Sequence, residues 1–256
     1  MRTPGTEYAV VLSASELENP DFGLLSRFQA VYAGDEFCQV KLPSAGRLRA
    51  LRAGFRGRIV LASSLMTDKW LEKFMALVPL VRSWGARGEL VVNDLGVLDR
   101  LCRRGERPPR ISLGRVLAGD LSFFAASPGF KQLFGRGVRA VEIDDLEGFR
   151  LFSKVPGAAL NLHYPYKFSA FSRICYLTRK FNDACRMPCR GAAAAEIPAG
   201  VLKERLFVSG NALFSDNSAL YRGICGLKKP AGGAVPARLV LNSGLSRAAG
   251  CLNSGL

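Results

Sequence analysis

Short apolar runs rich in β-branched residues recur along the chain, and each run ends in polar residues or glycine. They cover residues 8–14, 28–34, 58–63, 89–94, 110–114, 138–144, 158–163 and 205–210. Runs of this length and punctuation are typical of strands that are buried on both faces. A further run at 237–243 is an alternative to 205–210 as the last strand of the series.

Segments with helical spacing lie between several of these runs. In residues 67–85, apolar side chains repeat every three to four positions from Trp70 to Val81, and Thr67 precedes them as an N-cap. Residues 95–105 repeat the pattern on a smaller scale and end in basic residues and Gly105. Both segments are predicted to be helices.

Buried strands that alternate with helices predict a parallel sheet covered on both faces. About eight such units favour a closed (β/α)₈ barrel of the TIM type over an open sheet. We therefore expect one α/β barrel domain over residues 1–256. Two segments rich in small residues, proline and glycine, 191–200 and 228–237, are predicted to be loops.

Charge and motif content narrow the function classes. The 256 residues carry a formal net charge of +15, which favours anionic partners such as RNA, phosphate or acidic lipid; an arginine-rich solvated surface is the alternative interpretation. A single histidine excludes HExxH, and GxSxG, Walker and GxGxxG signatures are absent. Without an apolar leader or spanning segment, we expect a cytoplasmic protein.

Polar residues stand at the carboxyl ends of the predicted strands, where barrel proteins gather their functional groups. Five of them are candidates for binding a small oxygenated substrate: Asn93, Asp94, Arg115, Glu142 and the lone His163. The alternative is that each of these side chains caps a loop or helix, and that the histidine is a hydrogen-bonded packing residue.

Cysteines are concentrated in residues 175–190, where Cys175, Cys185 and Cys189 lie among four basic residues, and Arg173 just before them is a fifth. Seven cysteines in all, an odd number, favour reduced thiols or metal ligands over a disulfide framework. In a barrel, Cys38 behind the second strand would reach the same rim and supply a fourth thiolate. Spacing alone leaves a metal site and buried thiols equally open. The other three, Cys102, Cys225 and Cys251, lack ligand spacing, and a structural role is expected for them.

A succession of motifs resembles the collagenase-like peptidase family, family U-thirty-two, and within it the UbiV-type branch. In order they are VYAGDEFC (31–38), VVNDLGVLDRL (91–101), ISLGRVL (111–117), VRAVEIDD (138–145), SRICYLTR (172–179), CRMPC (185–189) and FVSGN (207–211). The resemblance covers roughly residues 28–211. Residues after Asn211 align poorly, which leaves the C-terminal end of the barrel, regular or incomplete, undefined.

The resemblance implies a (β/α)₈ barrel with a 4Fe–4S cluster, acting with a related barrel subunit as a heterodimer in oxygen-independent hydroxylation during ubiquinone biosynthesis. Resemblance to other branches of the family would imply hydroxylation of RNA bases or a collagenase-like peptidase activity. By position, the cluster ligands implied are Cys38, Cys175, Cys185 and Cys189. A structural zinc site is the alternative for the same thiols. Two departures suggest a separate branch: the gap between Cys175 and Cys185 is shorter than in UbiV-type proteins, and HYPY stands at 163–166. The resemblance therefore does not fix the substrate, which could be a small molecule or RNA.

Overall fold

The computed structural model describes residues 5–103, 109–181, 185–187, 189, 194–197, 205–217 and 236–242. Its strands are β1 (Glu7–Val11), β2 (Ala30–Gly34), β3 (Arg58–Ala62), β4 (Gly88–Val92), β5 (Arg110–Leu113), β6 (Val138–Ile143), β7 (Ala159–Tyr164), β8 (Tyr166–Phe171), β9 (Ala195–Ile197), β10 (Leu206–Ser209), β11 (Ala212–Asp216) and β12 (Arg238–Asn242). Its helices are α1 (Ala14–Glu18), α2 (Phe22–Leu25), α3 (Ala45–Gly54), α4 (Asp68–Ser83), α5 (Leu95–Arg103), α6 (Arg115–Leu121), α7 (Pro128–Gly135) and α8 (Leu146–Phe152). Single 3₁₀ turns occupy Gln39–Lys41, Gly85–Arg87 and Ser122–Phe124.

Eight parallel strands close into a barrel in the order β1-β12-β7-β6-β5-β4-β3-β2, with helices between successive strands. The predicted (β/α)₈ barrel is thereby confirmed. A second sheet of four antiparallel strands, in the order β8-β11-β10-β9, is inserted between β7 and the closing strand β12. None of the described helices combines the length and the apolar character needed to cross a membrane.

The closing strand is β12, so the alternative run at 237–243 was correct and the first choice, 205–210, was wrong. The physical reason is the turn that follows β10. Gly210 and Asn211 form a two-residue hairpin between Ser209 and Ala212, and Gly210 has a φ of 64°. Glycine adopts this conformation without steric strain, and such a turn joins antiparallel strands only. Residues 205–210 therefore belong to the small sheet.

The predicted loop over 191–200 is also corrected, because Ala195–Ile197 form β9 and pair with β10. β9 pairs with the open edge of β10, where unpaired backbone groups are available. Residues 191–193 and 198–200 lie outside the described residues. In the other predicted loop, Pro236 and Ala237 lead irregularly into β12. The rest of that segment, 228–235, lies outside the described residues.

Both predicted helices are confirmed. In α4, Phe74, Leu77 and Val81 are buried on one face, and Thr67 stands at the N-cap position although its hydroxyl makes no capping bond. The predicted helix over 95–105 corresponds to α5, which is described as far as Arg103. Burial of the apolar stripe against the barrel, as its 3.6-residue period requires, is what holds α4 in place.

Apolar side chains divide into three groups. The largest fills the space between barrel and helices, and a smaller one inside the barrel consists mainly of alanine and valine around Tyr32. The third joins Phe37, from the loop after β2, and Val116, from the first turn of α6, to Tyr166, Phe207 and Phe214 of the small sheet. The small sheet therefore lies over the carboxyl mouth of the barrel. Small interior side chains leave room for the polar groups described next.

Candidate functional site

The barrel interior is built around the buried carboxylate of Glu142, on β6. Its Oε1 accepts hydrogen bonds from Ser112 Oγ at 2.6 Å and from Asn161 Nδ2 at 2.7 Å. The Tyr32 hydroxyl lies 3.1 Å from Oε2, and His163 Nε2 lies 2.8 Å from the same oxygen. Four donors on one carboxylate are the arrangement that a buried charge requires.

Burial dominates the titration of this group and of its histidine. It raises the pKa of Glu142, against the lowering effects of Arg238 and the donated hydrogen bonds. Burial, helped by the charge of Arg115, lowers the pKa of His163 to about 3. His163 is therefore neutral at pH 7, and Nε2–H donates to Glu142 while the buried Nδ1 has no hydrogen-bond partner among the described residues.

A second layer lies nearer the carboxyl mouth, where Arg115 forms ion pairs with two carboxylates. Its Nε donates to Glu36 Oε1 at 2.9 Å, and its Nη1 lies 3.3 Å from Asp144 Oδ2. Burial raises the pKa of Asp144 to about 6, although Arg115 and the backbone N–H of Phe168 act in the opposite direction. Because that N–H comes from β8, the ion pairs also connect the small sheet to the barrel.

Of the five predicted rim residues, two stabilise the local structure. Asn93 donates to Glu36 and to the Ser63 carbonyl, and its Oδ1 accepts from the Val116 N–H. Asp94 caps α5 through the Val97 N–H and accepts a second bond from the Met66 N–H. These contacts match the capping interpretation of strand-end polar residues.

Three other predicted residues, Arg115, Glu142 and His163, belong to one continuous network. His163 Nε2 lies 3.7 Å from Glu36 Oε1, so the histidine connects the Glu142 layer to the Arg115 layer. Below Glu142, the Tyr32 hydroxyl accepts a hydrogen bond from Arg238, which in turn pairs with Glu89. Charged and polar groups therefore run along the barrel axis from one mouth to the other.

A cavity of about 100 Å³, here named the rim cavity, lies at the carboxyl mouth between the barrel and the small sheet. Its apolar wall includes Leu12, Leu17, Tyr32, Phe37 and Phe214, and its polar lining includes Ser13, Asp35, Glu36, Lys41, Arg115, Cys189 and Asn242. Only Arg115 of the five predicted substrate residues lines it. An apolar space with a few buried polar groups is the usual form of a small-molecule site.

Two of the four predicted ligand cysteines lie in segments that the Gly210–Asn211 turn contacts. Asn211 Nδ2 donates to the carbonyls of Phe37, next to Cys38, and of Ser172, both at 2.7 Å. Cys175 Sγ lies 3.7 Å from the Gly210 carbonyl. The turn therefore holds the loop after β2 against the segment after β8. Cys175 follows β8, a strand of the small sheet.

The other two cysteines extend the same group. Burial and then Asp35 raise the pKa of Cys38 to about 12, with a lesser contribution from Cys189. Burial raises the pKa of Cys189, with lesser contributions from Cys175 and Cys185, whereas Lys41 lowers it. Cys185 Sγ accepts a hydrogen bond from the Met187 N–H at 3.3 Å. Cys189 also lines the rim cavity together with Lys41.

All five described cysteines are free thiols, and Cys102 on α5 lies apart from the other four as a half-buried packing residue. Cys225 and Cys251 lie outside the described residues. Within the described part of the chain, no three histidine, cysteine, aspartate or glutamate side chains converge on the position of one metal ion.

The comparisons with known proteins leave the function to be inferred from these residues. No family model and no curated protein matches the chain. A solved structure of a glycoside hydrolase family 18 N-acetylglucosaminidase from Paenibacillus barengoltzii is similar over 97% of this chain and 98% of that chain, at 11% identity and a TM-score of 0.45. The resemblance to family U-thirty-two stays a prediction.

Sequence reasoning missed five members of the interior network: Tyr32, Glu89, Ser112, Asn161 and Arg238. Each lies within a strand. A polar side chain in an otherwise apolar, doubly buried strand is the signal that could have revealed them, because such a residue needs a buried partner.

Proposed function

We propose that this chain is an iron–sulfur barrel protein that takes part in oxygen-independent hydroxylation, with one 4Fe–4S cluster held beside the rim cavity. The ligands would be Cys38, Cys175, Cys185 and Cys189. The observation that carries the proposal is that Cys189 lines the rim cavity together with Phe37 and Lys41, which stand on either side of Cys38 in the chain, although Cys38 and Cys189 are 151 positions apart in the sequence.

The donor set fits such a group. Four cysteine thiolates are the usual ligands of a 4Fe–4S cluster, and their sulfurs stand further apart than those around a single zinc ion. The Met187 N–H bonded to Cys185 Sγ is a further feature of cluster sites, where hydrogen bonds to sulfur tune the reduction potential.

Lys41 is the residue best placed to offset the negative charge of four thiolates. It forms an ion pair with Asp35 at 2.7 Å and interacts electrostatically with Cys38 and Cys189. Burial alone would lower its pKa, but Asp35 and then Cys38 raise it, so that Lys41 is a cation at neutral pH. The same ammonium group lines the rim cavity.

Within the rim cavity, the chain would bind and orient a small oxygenated molecule. Arg115 is fixed by Glu36 and Asp144 and by the Phe37 ring 4.9 Å away, so it would present its remaining donor surface without rearrangement. The cluster, when bound, would supply electron transfer at this wall of the cavity. Glu36 would accept or return protons at its carboxylate, and the packed small sheet would exclude water.

Iron and sulfide analysis of protein that is purified and reconstituted without oxygen tests the proposal. We expect four irons and four sulfides per chain, a broad visible absorption band, and loss of both in Cys185→Ser but not in Cys102→Ser. Zinc as the only bound metal, or equal iron in both variants, would contradict it.

A cytoplasmic location and a related barrel subunit as partner belong to the same proposal. Co-purification with such a subunit tests the latter.

A second function, action on RNA, is favoured by the segment around Cys175. Tyr176 and Phe181 are 54% and 64% exposed, and the Arg179 guanidinium lies 5.8 Å from the Tyr176 ring centroid. Exposed aromatic rings next to cations are the elements with which proteins stack unpaired bases. Transfer RNA binding that weakens steeply with salt and is lost in Tyr176→Ala would support this function. Binding that is absent at low salt would exclude it.

A further inference from the structure

The opposite, amino-terminal mouth of the barrel holds a cluster of charges that the proposed function does not use. Arg58, Arg110 and Arg238 are the first residues of β3, β5 and β12, Glu7 opens β1, and Glu89 is the second residue of β4. Because these strands are parallel and in one barrel, their first residues meet at a single opening. Three guanidinium groups and two carboxylates therefore line one space.

The carboxylates are shared unequally among the arginines. Arg238 forms two short bonds with Glu89, at 2.9 and 3.0 Å, and one with Glu7. Arg58 bonds Glu7 through Nη1 at 2.6 Å, but its buried Nε makes no hydrogen bond to the described residues and lies 3.6 Å from Glu89. Arg110 approaches Glu89 no closer than 3.9 Å, and its side chain is 45% exposed.

The mouth also contains space. A cavity of about 220 Å³ lies among these side chains, and its remaining lining is small: Gly5, Ala140, Ala159 and Ala237, together with Asn161. Larger residues at these positions would fill the end of the barrel, as the interior layers of such barrels normally do. The local charge is +1, and the guanidinium of Arg110 has no short contact with a carboxylate.

We propose that the amino-terminal mouth is a binding site for a small oxyanion, a phosphate or carboxylate group, held by Arg110 and Arg58 with Arg238 as the fixed floor. Guanidinium forks match both groups in bidentate geometry, and a bound anion would complete the hydrogen bonding of Arg58 and Arg110. The site lies at the end of the barrel remote from the rim cavity, so it stands or fails independently of the cluster.

Calorimetric titration of the whole chain with inorganic phosphate, at low and constant ionic strength, tests the site. We expect one tight-binding equivalent, weakened about tenfold or more in Arg110→Gln, because a charge-assisted bond is lost. Glu7→Gln should act in the opposite direction and tighten binding about threefold or more, since it removes a competing negative charge. Arg103→Gln, on the exposed end of α5, removes the same charge elsewhere and should leave binding unchanged.

Parallel titrations with acetate and succinate identify the preferred anion, phosphate or carboxylate. Opposite effects of the arginine and glutamate variants would establish the site. Equal weakening in Arg110→Gln and Arg103→Gln would show nonspecific attraction to a cationic protein, and the absence of saturable binding of all three anions would overturn the proposal. The Glu7→Gln result keeps the test decisive even if the arginine variant folds poorly.

Discussion

His163 Nε2 lies 2.8 Å from Glu142 Oε2, and both side chains are completely buried inside the barrel. The contact joins the lone histidine of the chain to a carboxylate that already accepts three other donors. Nothing in the immediate surroundings favours protonation of the ring strongly enough to outweigh burial. The ring is therefore neutral and donates to the Glu142 carboxyl group, and its titration makes the stability of the protein depend on pH.

Acidification should destabilise the protein through this histidine. Its pKa is about 3 in the folded chain and near 6.5 when unfolded, so below pH 6.5 only the unfolded chain takes up the proton. Asp144, with a raised pKa of about 6, acts in the opposite direction.

Comparing the unfolding free energies of wild type and His163→Gln isolates the contribution of the histidine. As the pH falls below 6.5, the unfolding free energy of wild type should drop relative to that of the variant by up to about 1.4 kcal/mol per pH unit. Urea unfolding at several pH values measures it, and parallel curves would refute the neutral assignment.

Arg115→Met should be strongly destabilising, by about 3–5 kcal/mol at pH 7.5, because it leaves Glu36 and Asp144 buried without their counter-charge. The loss should be smaller at pH 5, where Asp144 is protonated. Arg103→Met, whose arginine is exposed, is the matched control and should change stability by less than about 0.5 kcal/mol. Equal effects of the two substitutions in denaturant unfolding would argue against a buried ion-pair layer.

Asn211→Ala should loosen the junction that brings Cys38 and Cys175 together. Two hydrogen bonds to the Phe37 and Ser172 carbonyls are lost, for about 2 kcal/mol of stability. In reconstituted protein we also expect less iron per chain. Ser153→Ala, which removes one exposed hydroxyl bond, should affect neither quantity. Unchanged iron content in a destabilised Asn211→Ala variant would separate the junction from the metal site.

Gly34→Ala should lower the stability of the protein by more than the cost of a positive φ alone. Gly34 has a φ of 96°, and a Cβ there would lie 2.6 Å from the Ala62 carbonyl oxygen. Gly157, with a φ of 77° and open space around it, is the matched control. Left-handed backbone costs alanine about 1–2 kcal/mol, so the Gly34 variant should lose more than the Gly157 variant. Thermal unfolding of both provides the comparison.

The barrel could be predicted from sequence because doubly buried strands leave long apolar runs, and seven of its eight strands matched such runs. The closing strand was misassigned because an apolar run does not reveal its partner, although the Gly210–Asn211 turn did carry that information. Rim residues after strands were recognisable by position. Glu89 and Arg238 were not, because each stands within a strand and finds its partner only when the barrel closes.

Chain spacing could not reveal that Cys189 lines the rim cavity together with Phe37, the residue before Cys38, since this depends on how the small sheet sits on the barrel. Asp94, in contrast, was predicted to bind substrate at the rim, but in the structure it caps α5 and accepts a hydrogen bond from the Met66 N–H. Strand-end position thus indicates which polar residues lie near the mouth. Side-chain direction then decides which of them reach the cavity, and sequence does not specify it.

The electron paramagnetic resonance spectrum of anaerobically reconstituted and reduced protein, compared between wild type and Cys38→Ser, tests the central claim most directly. If the four thiols share one cluster, the wild type gives the signal of a reduced 4Fe–4S centre, and the substitution at this distant position abolishes it or changes its shape. An identical signal in both proteins, or no signal from wild type loaded with iron and sulfide, would contradict a cluster that joins Cys38 to Cys175, Cys185 and Cys189.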